Sequence, residues 1–153
     1  MKKLITEEDI ASLVSVTDPQ YAPDGRRAAY VRTTVNHKRD SYSSAIMVYD
    51  TESGISNPWT FGDDKNTSPR WSPDGRRLAF VSDRENGVPQ LYIIDAAGGE
   101  AEQAADIPWG VSDPIWAPDG RSVLVSVSLT SAERADEKEK RSMTSMSRLT
   151  FSH

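Results

Sequence analysis

Short apolar runs bounded by polar turns recur along this chain. Leu78-Ala79-Phe80-Val81 is apolar at every position and too short for a helix, so it predicts a strand covered by protein on both faces. Ahead of it stands Trp71-Ser72-Pro73-Asp74-Gly75-Arg76-Arg77. Pro73 pre-sets φ for the second position of a type I turn, Ser72 suits the first, and Gly75 can take the left-handed conformation that turns the chain back. The stretch is therefore a hairpin, and the chain repeats it as Tyr21-Ala22-Pro23-Asp24-Gly25-Arg26-Arg27-Ala28-Ala29-Tyr30-Val31 and as Trp116-Ala117-Pro118-Asp119-Gly120-Arg121-Ser122-Val123-Leu124-Val125.

Each hairpin leads to a third apolar run. Ala45-Ile46-Met47-Val48-Tyr49-Asp50 turns at Glu52-Ser53-Gly54, and Gln90-Leu91-Tyr92-Ile93-Ile94-Asp95 turns at Gly98-Gly99. The closing aspartates read as turn residues that bond their own downstream backbone. Fourth strands, short and polar as an exposed sheet edge requires, are expected over about 55–60 and 100–105. Asp18-Pro19, Ser68-Pro69 and Asp113-Pro114 open the repeats; proline there is expected to hold the preceding residue extended and to begin a strand. A helix is expected over 6 to about 14, with Thr6 as its cap, Glu7, Glu8 and Asp9 in its first turn, and Ile5 and Ile10 at staple spacing. Residues 32–44 read as a polar loop.

The anchoring aromatics Tyr21, Trp71 and Trp116 stand 50 and then 45 residues apart, close to the period of propeller blades. The pattern thus predicts an all-β chain: a partial β-propeller of about two and a half four-stranded antiparallel blades, preceded by a short N-terminal helix. It divides into an N-terminal segment (1–17), an incomplete propeller of Pro-Asp-Gly repeats (18–130), and a charged loop with a disordered tail (131–153). In the last part, Ser131 to Arg141 is a charged run whose i, i+4 pairs contribute only about 0.2–0.5 kcal/mol each, and Ser142 to His153 carries no strand or turn signal. A blade needs a neighbour on each side. About five large apolar side chains left bare at two open ends, at about 1.5–3 kcal/mol each, would forfeit as much as a whole domain's stability of about 5–15 kcal/mol.

Composition narrows the function. With 37% apolar and 27% charged residues the chain is a polar-surfaced globular one, and its net charge of −5 argues against nucleic acid as a partner. There is no cysteine, so disulfides, thiol catalysis and thiolate metal sites are excluded. Met1-Lys2-Lys3-Leu4-Ile5 starts like an export signal, but Glu7, Glu8 and Asp9 fall where its apolar core belongs, so a cytoplasmic location is expected. No apolar run approaches the roughly 20 residues that span a bilayer, and no membrane partner is expected.

The chemistry searched for is missing. Glu7-Glu8-Asp9 reads as helix capping rather than a cation site, and Asp63-Asp64-Lys65-Asn66 lacks the alternating aspartates and closing glutamate of a calcium loop. The aspartates of the three Pro-Asp-Gly turns are spread over three units. His37 sits in a polar loop without a nucleophile, and with His153 it completes the histidines of the chain. Gly110-Val111-Ser112-Asp113-Pro114 approaches a nucleophile elbow but lacks its second glycine and the helix that must follow. Gly98-Gly99 precedes a strand and so makes no phosphate loop. No catalytic, cofactor-binding or metal-binding residue is assigned, no cofactor is expected, and the chain alone should catalyse nothing.

Ile5-Thr6-Glu7-Glu8-Asp9-Ile10, then Val16 through Gly25, then Ser68 through Arg84 resemble the N-terminal propeller of prolyl oligopeptidase family serine peptidases, in particular the acylaminoacyl-peptidase-like bacterial members. The likeness covers roughly residues 4–130, and the Pro-Asp-Gly repeat itself is shared with TolB-like propellers. The resemblance implies an α/β-hydrolase domain, absent here, that carries the family's serine, aspartate and histidine, with the propeller gating peptide access to it. It also implies a peptide substrate only in the full-length parent; the chain's departure from the family pattern suggests a truncated or frameshifted reading of a longer gene, and its uncovered blade faces predict that the isolated chain is marginal or associates through open propeller edges. A standalone TolB-like repeat protein acting as a protein-binding scaffold is the other reading.

Overall fold

The computed structural model describes residues 6–36, 40–129 and 146–150. A one-turn helix, α1 (Glu7–Ala11), leads into three antiparallel sheets. The first comprises β1 (Val14–Tyr21), β2 (Arg27–Asn36), β3 (Ser41–Asp50) and β4 (Ser56–Pro58), in that order. The second repeats it with β5 (Asn66–Trp71), β6 (Arg77–Ser82), β7 (Gln90–Asp95) and β8 (Glu102–Gln103). In the third, β10 (Ser122–Ser126) lies between β9 (Ser112–Trp116) and β11 (Met146–Thr150).

Thr6 caps α1 as expected: its Oγ1 accepts the Asp9 N–H at 3.3 Å while Asp9 Oδ2 accepts the Thr6 N–H at 3.0 Å. The helix stops at Ala11, short of the expected 14, because Val14 already pairs with Thr34. Ile5, one half of the expected staple, lies outside the described residues.

The three Pro-Asp-Gly hairpins are superimposable in their bonding. Gly25, Gly75 and Gly120 have φ of +69°, +69° and +66°, and each donates its N–H to the residue before the proline, at 2.9, 2.8 and 2.9 Å. Each aspartate accepts the N–H two residues on, Arg26, Arg76 or Arg121, at 2.9 to 3.0 Å. Asp74 is also bonded by the Ser72 hydroxyl at 2.6 Å. That bond, then the Arg76 N–H and the charges of Arg77 and Arg76, hold its carboxyl below the usual aspartate value. Asp50 behaves likewise: the Ser53 N–H and hydroxyl, then the Glu52 N–H and the Arg27 charge, lower it. Asp95 accepts the Ala97 N–H at 2.7 Å. These aspartates are turn residues.

Three expectations need correction. The residues before the opening prolines are not extended, and the prolines lie inside β1, β5 and β9 rather than beginning them: Asp18, Ser68 and Asp113 have φ of +51°, +54° and +49°. Register slips between Thr17 and Gln20 and between Thr67 and Arg70, and the third sheet slips at the matching place. A bulge bends the first strand there, and proline suits it because the residue has no N–H to give the ladder. Residues 32–44 are not a loop, since β2 runs to Asn36 and β3 starts at Ser41, with Thr33, Thr34 and Val35 facing Ser44, Ser43 and Tyr42; β-branched residues favour this pairing. Part of the expected disordered tail, Met146–Thr150, is a strand paired with β10. His37, Lys38 and Arg39, and the charged run 131–141, lie outside the described residues.

Directly opposed residues share a face, and neighbours along a strand alternate. The first sheet turns Ala29, Val31, Ile46 and Val48 toward the second, which answers with Leu78, Phe80, Tyr92 and Ile94. The other face of the second sheet, Ala79, Val81 and Leu91, packs on Val123 and Val125 of the third. Leu78–Val81 is thus buried on both faces, as its pattern predicts. The core is two slabs between three stacked sheets.

A repeated joint fastens the sheets. Trp71 Nε1 donates to the Gln20 carbonyl of the first sheet at 3.1 Å, and Trp116 Nε1 donates to the Arg70 carbonyl of the second at 2.9 Å. In return Arg27 lies 4.9 Å over the Trp71 ring and Arg77 5.1 Å over Trp116. Arg27 donates to the Ala96 and Gly75 carbonyls at 3.0 and 3.4 Å, and Arg77 to the Gly120 carbonyl at 2.7 Å. A Cβ on Gly75 would sit 3.4 Å from Pro23 Cδ, and one on Gly120 3.7 Å from Pro73 Cδ, so successive turns also nest. Ser44 and Asn66 close the far end of the first joint through three bonds of 2.9 Å.

Candidate functional site

The first strands of the three sheets, β1, β5 and β9, touch one another in succession, whereas among the described residues β4 and β8 make their main contacts within their own sheets. The sheets therefore converge at their first strands and splay at their fourth, as wedges do. Side chains at the bulges are presented along this convergent edge.

Asp18 and Gln20 come from β1, Arg70 from β5, and Asp113 and Ile115 from β9. Arg70 Nη1 reaches Asp18 Oδ2 across the joint at 2.7 Å, with both side chains about 30% exposed, and also donates to the Pro69 carbonyl at 2.7 Å. Gln20 Nε2 donates to the other Asp18 oxygen at 3.0 Å. Ion pairs this exposed give about 0–1 kcal/mol, so the pair adds little to stability and places a fixed plus and minus charge where the wedges meet. Asp113, at the place of Asp18, accepts the Ser112 hydroxyl at 2.8 Å. Ile115, at the place of Arg70, is 59% exposed. Such an edge can hold or repel a polar chain. None of these five side chains is a histidine or other neutral base set beside a nucleophile.

The residues weighed in the sequence do not assemble into a centre. Ser112 lies in strand β9 with no helix after it, and Gly110 is there for space, since a Cβ would come 3.1 Å from the Pro89 carbonyl oxygen. Asp63 and Asp64 lie in the link between the first two sheets, where the Asp64 carbonyl accepts the Ser44 N–H at 3.1 Å. Among the described residues no group of three His, Asp or Glu side chains is placed to hold a metal. Sequence reasoning passed over Asp18, Gln20 and Arg70, although their fixed distance from each proline was a signal available in the repeat.

The chain matches the TolB beta propeller domain over residues 5–152. It is 59% identical over 140 residues to the uncharacterized peptidase YuxL of Bacillus subtilis, an overlap that covers 92% of this chain and 21% of that protein. The putative TolB from Agrobacterium tumefaciens matches at 28% identity and a TM-score of 0.59, over 71% of this chain and 36% of that one. The Pyrococcus horikoshii acylaminoacyl peptidase matches at 25% identity and a TM-score of 0.62, over 76% of this chain and 17% of that one.

Proposed function

This chain belongs to the TolB beta propeller domain family, and from that premise we propose that it serves as propeller wedges of a serine peptidase of the prolyl oligopeptidase family. In that role it walls the approach to an α/β-hydrolase domain which is not among its own residues, and it admits peptides while excluding folded proteins. The observation that carries this reading is the identity to a peptidase along nearly the whole chain, joined to a convergent edge that offers charges and no catalytic pair. Proteolysis, a peptide substrate for the longer assembly, the absence of nucleic-acid and membrane partners, and a cytoplasmic location belong to the same proposal. No described helix is long and apolar enough to cross a membrane, and cell fractionation tests the location.

The test is a swap. The matched segment of the Bacillus subtilis peptidase is replaced by residues 5–152, and hydrolysis of a chromogenic acyl-peptide is followed. The exchanged protein is expected to cleave the peptide and to spare a folded protein with the same scissile sequence, while the 153-residue chain alone gives no turnover. A folded but inactive exchange, or turnover by the chain alone, would sink the reading. The standalone scaffold reading is favoured by the likeness to a TolB protein; it predicts a stable complex with a protein ligand and no dependence on a hydrolase.

A further inference from the structure

Arg70 is braced along its backbone and only half spent at its head. Ser68, two residues before it, is held in the left-handed region at φ +54°, Pro69 is fully buried, and the Arg70 carbonyl accepts the Trp116 indole N–H at 2.9 Å. The guanidinium is fixed as well. Nη1 donates to Asp18 Oδ2 and to the Pro69 carbonyl, both at 2.7 Å, which uses both of its hydrogens. Gln20 Nε2 holds the other Asp18 oxygen at 3.0 Å. On the opposite side of the fork, Nε and Nη2 have no protein partner among the described residues and are not buried, and the side chain is 30% exposed. β5 has β1 on one side and β9 on the other, so this opening belongs to a wedge with both neighbours in place.

What the pair has left to give is donors. Each oxygen of Asp18 is already engaged, whereas the Nε–H and Nη2–H groups of Arg70 run parallel and match the two oxygens of a carboxylate. We propose that Arg70 is a specificity residue of the convergent edge, selecting peptides that bear a carboxylate by taking it on the Nε–Nη2 side of the fork while Asp18 and Gln20 hold the fork still. This role deepens the peptidase reading above and rests on it. A fork already ordered by two bonds loses little further freedom when a ligand arrives. The Asp18 charge also offsets that of Arg70 at a distance, so discrimination is made at contact, through the paired bonds, rather than by long-range attraction.

The test uses the exchanged Bacillus subtilis peptidase carrying residues 5–152 of this chain and internally quenched peptides of one scissile sequence. One series moves a single glutamate residue by residue away from the scissile bond, a second puts lysine in its place, and a third ends in a free carboxylate or an amide. The expected result is a kcat/KM at least about tenfold higher for a carboxylate-bearing peptide than for its lysine or amide twin, carried by KM. Preference for an internal glutamate identifies an acidic side chain as the ligand, and preference for the free end identifies a chain terminus. Arg70→Met should bring the twins to within about twofold of each other. Arg70→Lys keeps the charge and loses the fork, so it should recover only part of the preference. Twin peptides are compared on one protein, so a fall in the folded fraction of a variant cancels from the ratio. Twins cleaved alike by the unsubstituted exchange overturn the inference and leave the peptidase reading standing. An Arg70→Met exchange that is slower on every peptide with its preference intact also overturns it, and reduces the ion pair to a tie between sheets. No cleavage of any peptide overturns both.

Discussion

In the second sheet Leu78 and Ala79 point to opposite faces and both are 0% exposed, whereas in the first sheet Ala29 is 0% exposed and Tyr21, across the sheet, is 70% exposed. The two sheets share strand order, turn chemistry and bulge. What separates them is neighbours: the second sheet has one on each side, the first on one side only. An apolar residue in this architecture contributes according to its unit's place in the stack, because area removed from water, not the residue type, sets the gain. The same substitution should therefore have very different effects in equivalent positions.

The largest difference is expected for truncation in the inner slab. Phe80→Ala empties a fully buried site stacked on Tyr92 at 5.9 Å and should destabilise by about 3–5 kcal/mol, while Val16→Ala on the bare face should stay within about 0.5 kcal/mol. Urea denaturation of both variants measures the contrast, and equal effects would show that the first sheet is covered in solution. Next comes the joint itself. Arg27→Ala removes the stack on Trp71 and the bonds to Ala96 and Gly75 and should lower stability by about 1–2 kcal/mol. Arg27→Lys should recover little of it, because an ammonium lacks the planar fork.

A smaller contrast pits Trp71→Phe against Tyr21→Phe. The first strips the 3.1 Å bond to the Gln20 carbonyl and should lower stability by about 1 kcal/mol, the second by close to nothing, both read by thermal melting. The smallest effect concerns acid. Asp74 and Asp50 are held below the ordinary aspartate value, so the unfolded chain takes up their protons first. Their stabilisation is complete above the unfolded value of about 3.9 and disappears as pH falls through the lower folded value. Asp74→Asn should flatten the fall in stability below about pH 4 without changing its slope near neutrality; an unchanged acid limb would show that the turn bonds are not what lowers the carboxyl.

The hairpins, the third strands, the short polar fourth strands and the stacking of units were legible because each rests on local chemistry that repeats: Pro-Asp-Gly for the turn, an apolar run for the covered strand, a terminal aspartate for the next turn. The length of β2 and β3 was hidden because Thr33, Thr34, Ser43 and Ser44 look like loop residues until they face one another. The left-handed residue before each proline ran against a general preference, and it is held by a bulge that only pairing reveals. β11 was missed because Met146–Thr150 is separated from β10 by a long intervening stretch. The convergent edge escaped for a related reason: Arg70 and Asp18 are 52 residues apart in sequence, and only the stacking of wedges brings them to 2.7 Å. Such contacts belong to the array and not to any one copy.

The seven residues from Trp71 to Arg77 hold the indole that receives the first joint and the arginine that reaches forward to the second. Repeating the whole sheet therefore repeats plug and socket in step with the apolar faces they clamp together. The third copy of the segment, from Trp116 to Ser122, keeps the socket and the same turn bonds and carries serine at the plug position.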